Sequence, residues 1–282
     1  MRTTVNDLFR LGVGKLHEAQ VEDADFDARC LLEFVLDVST SKFFMMRNET
    51  VDTVISQKYF ELIERRCNGE PLQYIIGKWE FYGNSFYVGD GVLIPRPETE
   101  MLIDEAKKFL DNKPDAVVVD FCSGSGCIAI SIAKLFPGIK VYAIEKYDAA
   151  YSYLVKNISL NGVSNVIAVK GDVFDKNVLS VIQPDLILSN PPYIRSEDIK
   201  KLEREVQSEP HTALDGGEDG YDFYRFFVDY WFADYLTSDT AIMLECAEDQ
   251  GETLAEMLSV NSTNVKILFD YNGLQRVVIA FK

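Results

Sequence analysis

The stretch Asn190-Pro191-Pro192-Tyr193 combines residue types that suit the binding of a planar, neutral amino group. Asn190 offers an amide acceptor and two donors, the prolines present carbonyls in a stiff frame without donating a backbone N–H, and Tyr193 adds a flat ring. The apolar run at 185–189 just before it predicts a buried parallel strand. Ligands of open α/β sheets bind where a central strand ends, so we expect a binding loop here. A plain turn is the alternative, because Asn and Pro are common turn residues.

A second candidate binding segment is a Gly-rich turn between a predicted strand at 116–121 and a predicted helix at 128–136. Glycine lets a backbone approach a ligand closely at such a turn, and with Ala129 the segment matches the loose G-x-G-x-x-G/A fingerprint. Glu145, at the end of the next strand, is placed to hold ribose hydroxyls. These signals favour a nucleoside-bearing cofactor and leave NAD, FAD and S-adenosyl-L-methionine (AdoMet) open. The turn consists of Cys122, Ser123, Gly124, Ser125 and Gly126.

Asp172 follows a third predicted strand at 166–170 and can accept a hydrogen bond from an exocyclic adenine amine, or simply cap the next turn. A hydride-transfer enzyme usually needs a proton donor or acceptor beside its substrate. The two histidines, His17 and His211, lie outside the loops that end the first four predicted strands. A nicotinamide-dependent oxidoreductase is therefore disfavoured but stays open.

The regular alternation of strand and helix patterns from residue 115 onward predicts an α/β fold, a Rossmann-like sheet with helices on both faces. Upstream of it, residues 5–67 show helical spacing of apolar residues without a convincing strand. A break is expected at 39–42, between helices at 25–36 and 55–66. We predict a division into a helical domain at 1–70, a β-hairpin linker at 71–95 and a cofactor-binding domain at 96–282. Further strands are expected at 240–245, 265–269 and 276–281.

The predicted hairpin consists of alternating aromatic residues around a turn at Gly83-Asn84. The segment Pro95-Arg96-Pro97-Glu98-Thr99-Glu100 then begins a helix that runs through Leu110, with carboxylates in its first turn. That polar segment either only starts the helix or also forms a rim of the ligand pocket; both interpretations stay open.

Composition and charge narrow the class of protein. The 282 residues are 47% hydrophobic, which indicates an ordered globular chain, and the net charge of -17 disfavours duplex DNA as a direct ligand. The five cysteines are scattered without a CxxC pair, and the N-terminus lacks the apolar core of a signal peptide. There is also no apolar run of membrane-spanning length. We expect a cytoplasmic protein without a disulfide framework, a metal site, a membrane partner or direct nucleic-acid binding.

These residues together resemble a class I AdoMet-dependent methyltransferase. The Asn-Pro-Pro-Tyr form is similar to that of enzymes that methylate amino groups of adenine or glutamine. Further segments resemble the release-factor glutamine N5-methyltransferases (HemK/PrmC family), and they carry the likeness from about Glu70 to the C-terminus. They include 71–77, 81–83, 92–100 and 213–220. Cys122 stands where related methyltransferases often have glycine, which matters little if only its backbone lines the site.

The resemblance implies a role for each of these site residues. Asn190 and the Pro191 carbonyl would accept the two N–H bonds of a glutamine amide, Pro192 would stiffen the loop, and Tyr193 would pack against the amide. Glu145 would hold the ribose of AdoMet. The adenine would lie against Asp172 and Val173, and the methionine end against the turn from Cys122 to Gly126.

The substrate implied by the family is the glutamine of the Gly-Gly-Gln loop in peptide chain release factors. The helical domain would then dock that partner. Two alternatives stay open: an N6-adenine nucleic-acid methyltransferase, which shares Asn-Pro-Pro-Tyr, and a catalytically silent protein of the same fold. The acidic composition argues against the first, and the intact Asn190 and Tyr193 argue against the second.

Overall fold

Helices build the N-terminal part of the chain, and three of them begin with a side-chain N-cap, at Thr4, Ser39 and Asp52. The computed structural model describes residues 3–180, 182–262 and 264–282. It divides the chain into two units, Met1–Gly77 with Glu203–Ser208, and Lys78–Leu202 with Glu209–Lys282. The first unit holds five helices: α1 (Val5–Glu18), α2 (Ala24–Leu36), α3 (Thr40–Met45), α4 (Thr53–Cys67) and α5 (Leu72–Ile76).

The start of α3 corrects one expectation. Residues 39–42 were expected to break the helical pattern, but Ser39 is the N-cap of a short helix, and its hydroxyl accepts the backbone N–H of Lys42 at 3.4 Å. Serine favours both turns and N-caps, because its hydroxyl can replace a missing backbone acceptor. A polar Ser-Thr run therefore marks either a loop or a helix start, and here it marks the start.

A buried ion pair joins distant parts of the first unit. Arg66 Nε lies 2.5 Å from Asp27 Oδ2, and both residues are only 4% exposed. The same guanidinium also binds Glu205, in the segment Glu203–Ser208 that belongs to this unit. Removing one partner of such a pair would leave an uncompensated buried charge. Arg66 therefore connects its own helix with the stretches that contain Asp27 and Glu205.

The second unit begins with the predicted hairpin, formed by β1 (Lys78–Phe81) and β2 (Asn84–Tyr87). The turn residues are Tyr82 and Gly83, with φ of 49° and 67°, and Asn84 pairs with Phe81 inside the ladder. The predicted Gly83-Asn84 turn was thus one residue too late. Two successive left-handed residues match the twist of a tight hairpin, which explains why this register is stable.

A seven-stranded sheet forms the centre of the second unit, with the strand order β5-β4-β3-β6-β7-β9-β8. The strands from β3 to β7 pair in parallel, and β9 lies antiparallel to both β7 and β8. The strands are β3 (Val117–Phe121), β4 (Lys140–Glu145), β5 (Val166–Lys170), β6 (Leu186–Ser189), β7 (Ala241–Glu245), β8 (Asn264–Phe269) and β9 (Gln275–Phe281).

Helices cover both faces of this sheet, as predicted. On one face α6, α7 and α8 pack through residues such as Leu102, Ile130 and Leu154, and on the other face α9, its π-helical continuation and α10 pack through residues such as Trp231 and Leu254. The bounds are α6 (Glu100–Leu110), α7 (Cys127–Leu135), α8 (Asp148–Asn161), α9 (Asp222–Phe226), the π-helix Phe227–Tyr235 and α10 (Gly251–Ser259). Short 3-10 turns occupy Pro97–Thr99, Ile199–Lys201, Val206–Ser208 and His211–Ala213. Over the described residues, no helix is both long and apolar enough to cross a membrane.

The point where the strand order reverses determines where a ligand can bind. β3 lies between β4 and β6, and its last residue, Phe121, pairs with Ile144 on one side and Ser189 on the other. The loops that follow these strands therefore leave the same edge of the sheet. A crevice opens at such a switch point, because successive connections run to opposite sides.

Candidate functional site

A cleft of about 930 Å³, including its part open to solvent, lies at this edge of the sheet. The structure brings together residues from four strand-end loops and from the segment before α6. The predicted site residues that line the cleft are Cys122, Ser123, Gly124, Ser125, Glu145, Asp172, Val173, Asn190 and Pro192.

The Gly-rich turn presents an open backbone to the cleft. Gly124 has a φ of 54°, and a Cβ added there would come no closer than 3.9 Å to the nearest side chain, so the glycine leaves free space beside the turn. Gly126, at φ 82°, precedes α7 and packs closely against Leu154 and Ile130. Cys122 also adopts a left-handed φ of 56°, which costs a non-glycine residue some strain. A glycine would adopt this conformation without that strain.

Glu145 is held in place by the loop that it faces. Its Oε2 accepts the N–H of Gly124 at 2.9 Å, and its Oε1 accepts the N–H of Tyr147 at 2.8 Å. Burial raises the pKa of the Glu145 carboxyl, and the backbone hydrogen bonds act in the opposite direction. Each carboxylate oxygen keeps a second lone pair, so the group can still accept hydrogen bonds from ligand hydroxyls.

Asp172 and Val173 form the adjacent wall of the cleft. Asp172 pairs with Lys146 at 2.8 Å and accepts the N–H of Phe174 at 3.1 Å, so the carboxylate is both neutralised and oriented. Val173 is buried, and its carbonyl accepts the indole N–H of Trp231 at 3.0 Å. Trp231, in the π-helix, thus holds the backbone of this loop in place through a hydrogen bond on the side away from the cleft.

Asn190 follows β6 directly, and its side-chain orientation is determined by one contact. Its Nδ2 donates to the hydroxyl of Thr99 across 3.1 Å. The Asn190 nitrogen is therefore already hydrogen-bonded. The amide oxygen of this cleft-lining side chain stays available as an acceptor. The arrangement suits a ligand that donates N–H bonds.

Three predicted site residues lie outside the cleft lining of the described chain: Gly126, Pro191 and Tyr193. Pro191 is buried, and the Tyr193 ring packs against the core on the α9 and α10 side of the sheet. The Tyr193 hydroxyl lies 3.5 Å from Glu245 Oε1, and burial raises the pKa of this phenol. The expected packing of Tyr193 against a substrate amide stays a prediction.

Sequence reasoning missed a second cleft wall around Glu209. This carboxylate is 5% exposed, accepts the backbone N–H of Ile94 at 2.9 Å and pairs with Arg96. Arg96 lines the cleft, as do Pro210, Thr212 and Ala213. The sequence alone does not decide whether the segment 95–100 forms a rim of the pocket, and the structure places Pro95, Arg96 and Thr99 in the cleft lining. The many polar residues of this segment were the signal in the sequence that it could line the pocket. Its partner Glu209 lies more than a hundred residues away, and no pattern pointed to it.

Among the described residues, no group of three or more His, Cys, Asp or Glu side chains could hold a metal ion. Both histidines are solvent-exposed at ion-pair distance from an aspartate, His17 at 3.5 Å from Asp25 and His211 at 3.7 Å from Asp215. The polar side chains that line the cleft in the described chain carry carboxyl, amide, hydroxyl, thiol, ammonium and guanidinium groups.

Comparison with known proteins agrees with this geometry. Residues 7–77 match the family described as PrmC N-terminal domain, and residues 100–210 match the one described as TRM5/TYW2 methyltransferase domain. In its fold the chain is similar to the hMettl16 catalytic domain in complex with MAT2A 3'UTR hairpin 6. The TM-score is 0.57 at 15% identity, over 78% of this chain and 82% of that one. This likeness shows the fold alone and agrees with the expected Rossmann-like sheet with helices on both faces.

Two curated relatives extend the comparison to nearly the whole chain. Both are named release factor glutamine methyltransferase. The protein of Thermodesulfovibrio yellowstonii is 40% identical over 78% of this chain and 80% of its own length. That of Geobacter sulfurreducens is 36% identical over 94% of this chain and 92% of its own length. The chain therefore belongs to the release factor glutamine methyltransferase family.

Proposed function

We propose that this chain transfers a methyl group from AdoMet to the side-chain amide nitrogen, N5, of the glutamine in the Gly-Gly-Gln motif of peptide chain release factors. The observation that carries the proposal is the orientation of Asn190. Its nitrogen is bound by Thr99 at 3.1 Å, which leaves an acceptor oxygen in a cleft at the switch point of the sheet. A primary amide supplies the N–H donors that this acceptor requires.

The donor set of the cleft fits AdoMet. Glu145 lies at the end of β4 with free lone pairs for two ribose hydroxyls, and Asp172 is held by Lys146 beside Val173, where an adenine amine and ring can bind. The open space beside Gly124 admits the methionine end. The turn from Cys122 to Gly126 would hold that end through its backbone.

AdoMet, when bound, supplies an electrophilic methyl group on a sulfonium sulfur. The lone pair of a glutamine amide is delocalised into its carbonyl, so the enzyme must orient the nitrogen and favour its pyramidal form. We assign this role to the Asn190 oxygen and the Pro191 carbonyl, which would accept the two N–H bonds. Pro192 stiffens the loop, and Tyr193 anchors it in the core. Alignment of this kind contributes more than a strong base to an in-line displacement.

The proposal gives the helical unit the role of docking the release factor. It matches the PrmC N-terminal domain over residues 7–77 and exposes several large apolar side chains. A protein partner that docks on this unit would cover some of these side chains. Direct nucleic-acid binding is not part of the proposed activity, since the net charge of -17 opposes phosphate binding. A cytoplasmic location follows from the proposed substrate.

Incubation with methyl-labelled AdoMet tests the proposal. The substrates are a purified release factor, the same factor with its Gly-Gly-Gln glutamine replaced by alanine, and a duplex DNA. Label on the unmodified factor alone supports glutamine methylation. Label on the DNA would instead favour the N6-adenine alternative, and label on the alanine variant would place the modification at another residue.

A further inference from the structure

The contact between Thr99 and Asn190 extends into the interior of the second unit. Thr99 is the last residue of the 3-10 turn Pro97–Thr99, is 1% exposed, and accepts the Asn190 Nδ2–H across 3.1 Å. A hydroxyl group has a single hydrogen to donate. Whether Thr99 accepts from Asn190 or donates to it therefore depends on where that hydrogen goes.

The acceptor beside Thr99 is the carboxyl of Glu245, at the end of β7. Glu245 is 2% exposed, and its Oε2 is fully enclosed without a partner of ordinary hydrogen-bond geometry in the described chain. Burial raises the pKa of Glu245 to about 7, and hydrogen bonding with the Thr99 hydroxyl acts in the opposite direction. The Tyr193 hydroxyl lies 3.5 Å from the other oxygen, Oε1. The enclosed Oε2 attracts the Thr99 hydrogen, because leaving a buried acceptor unsatisfied is costly.

Two orientations of the Asn190 amide differ only in the exchange of oxygen and nitrogen, which have nearly the same shape. A threonine hydroxyl alone would satisfy either one, since it can accept from the nitrogen or donate to the oxygen. When Glu245 takes the hydroxyl hydrogen, Thr99 can only accept, and the Asn190 nitrogen must face it. The flipped amide would present N–H groups to the N–H groups of a substrate amide.

We propose that Thr99 and Glu245 are positioning residues, which act through Asn190 to keep its amide oxygen directed at the substrate. The inference deepens the proposed function and rests on it. The hydrogen-bond sequence runs from the Asn190 nitrogen to the Thr99 oxygen and from the Thr99 hydrogen to the Glu245 carboxylate. Neither residue needs to touch the reacting atoms, and Glu245 is not part of the cleft lining among the described residues.

Substitution at Thr99 tests the proposal in a way that preserves shape. Thr99→Val removes the hydroxyl and should lower kcat for methyl transfer by about tenfold or more, whereas Thr99→Ser keeps the hydroxyl and should retain most of the rate. The KM for AdoMet should change little in both variants. Thr240→Val is the matched control, because that buried hydroxyl donates to the Thr237 carbonyl and should not affect kcat. A Thr99→Val enzyme with wild-type kcat would overturn the proposal.

Glu245→Gln tests the direction of the hydrogen-bond sequence. A glutamine can offer either its oxygen or its nitrogen to Thr99, so the preference for one Asn190 orientation is lost while the volume is kept. We expect a decrease of kcat similar to that of Thr99→Val. A wild-type kcat in this variant would remove Glu245 from the proposal.

Coupling to Asn190 separates a positioning role from a merely structural one. Single-turnover rates should show that Thr99→Val slows the wild-type enzyme but has no further effect in an Asn190→Ala background. Equal losses in both backgrounds would contradict action through Asn190.

An NMR readout is independent of turnover. The Asn190 side-chain amide signal, assigned by its loss in Asn190→Ala, should shift and exchange faster with solvent in Thr99→Val but not in Thr240→Val. An unchanged signal would contradict the proposal. A wild-type enzyme that transfers no methyl group would overturn the proposed function, and the NMR result would still decide whether Thr99 orients Asn190.

Discussion

Gly216 lies directly against the backbone of Tyr193. A Cβ built on Gly216 would come within 2.7 Å of the Tyr193 Cα and 2.9 Å of the Pro192 carbonyl oxygen. The Gly216 N–H donates to the Ile194 carbonyl at 2.8 Å, and Gln250 Nε2 donates to the Tyr193 carbonyl at 2.9 Å, so both bonds hold the same loop. The Asn-Pro-Pro-Tyr loop is therefore packed directly against the backbone at Gly216, where there is no side chain to separate them.

Gly216→Ala should displace the Asn-Pro-Pro-Tyr loop and lower kcat by about 100-fold, because small misplacements of a positioned group are costly to catalysis. The backbone atoms that it would meet cannot move away as a flexible side chain could. Stopped-time methyl-transfer assays measure kcat, and circular dichroism checks the fold. Gly14→Ala is the matched control: in α1, no described atom lies within 4 Å of the added Cβ, so activity should be unchanged. Equal kcat in both variants would contradict the bracing role.

The Tyr193 ring should matter more than its hydroxyl. The ring packs against the core, whereas the hydroxyl makes only a long contact of 3.5 Å with Glu245. Tyr193→Phe keeps the ring and should retain kcat within about threefold, and Tyr193→Ala should lower it by at least about tenfold through loss of the anchor. Steady-state kinetics of the two variants decides between them. A large loss in Tyr193→Phe would instead point to a chemical role of the phenol.

Asp120 should make the stability of the protein decrease as the pH rises. Its side-chain oxygens are enclosed and have no partner of ordinary hydrogen-bond geometry in the described chain. Burial raises the pKa of its carboxyl to about 8, although interactions with the Ser123 side chain and the Ala129 backbone act in the opposite direction. Between about pH 4 and that value the folded state keeps a proton that the unfolded state has lost. The free energy of unfolding therefore falls by up to about 1.4 kcal/mol per pH unit. The charged groups nearby, such as Glu145, also disfavour ionisation.

Asp120→Asn removes this titration and should flatten the pH dependence of unfolding. Glu145 and Glu245, whose pKa values are also raised, remain in the variant, so part of the slope should persist. Urea unfolding of both proteins at a series of pH values between about 5 and 8 provides the measurement. In roughly this range Asp120 is protonated in the folded state only. Identical slopes would show that Asp120 is ionised in the folded protein.

The docking role of the helical unit can be tested at α3. Met45 is 84% exposed and Phe44 is 54% exposed, so both adjacent apolar side chains are accessible to a partner. Replacing both with serine should raise the KM for a whole release factor by about tenfold and leave the KM for a short Gly-Gly-Gln peptide unchanged. Val260→Ser, at an exposed apolar residue of the second unit, should change neither value. A KM that rises equally for both substrates would contradict docking at α3.

The sheet could be predicted from the sequence because each strand is a short apolar run that ends in a turn. β5 has the predicted bounds, 166–170. Glu145 ends its strand and Asn190 follows its strand, as expected. Local patterns of this kind depend on neighbouring residues. These patterns also identified the Gly-rich turn. Its glycines adopt left-handed conformations, which glycine reaches without steric cost.

The contacts that orient the site could not be predicted, because they join residues far apart in sequence. Thr99 and Asn190 are 91 residues apart, and Arg96 and Glu209 are 113 residues apart. Nothing in the helix-start pattern around Thr99 indicates which strand end it will meet. The buried position of Glu245 likewise depends on three layers of packing, so its strand was predicted but its hydrogen bonds were not.

The most direct test of the account is tandem mass spectrometry of the release factor after reaction with AdoMet, comparing the wild-type enzyme with Asn190→Ala. With the wild type, we predict one added methyl group on the side-chain amide of the Gly-Gly-Gln glutamine. Asn190→Ala should slow its appearance by at least about 100-fold, as expected for loss of a group that acts on the reacting atom, while calorimetry shows nearly unchanged AdoMet affinity. A methyl group on another atom, or full transfer by Asn190→Ala, would contradict the account.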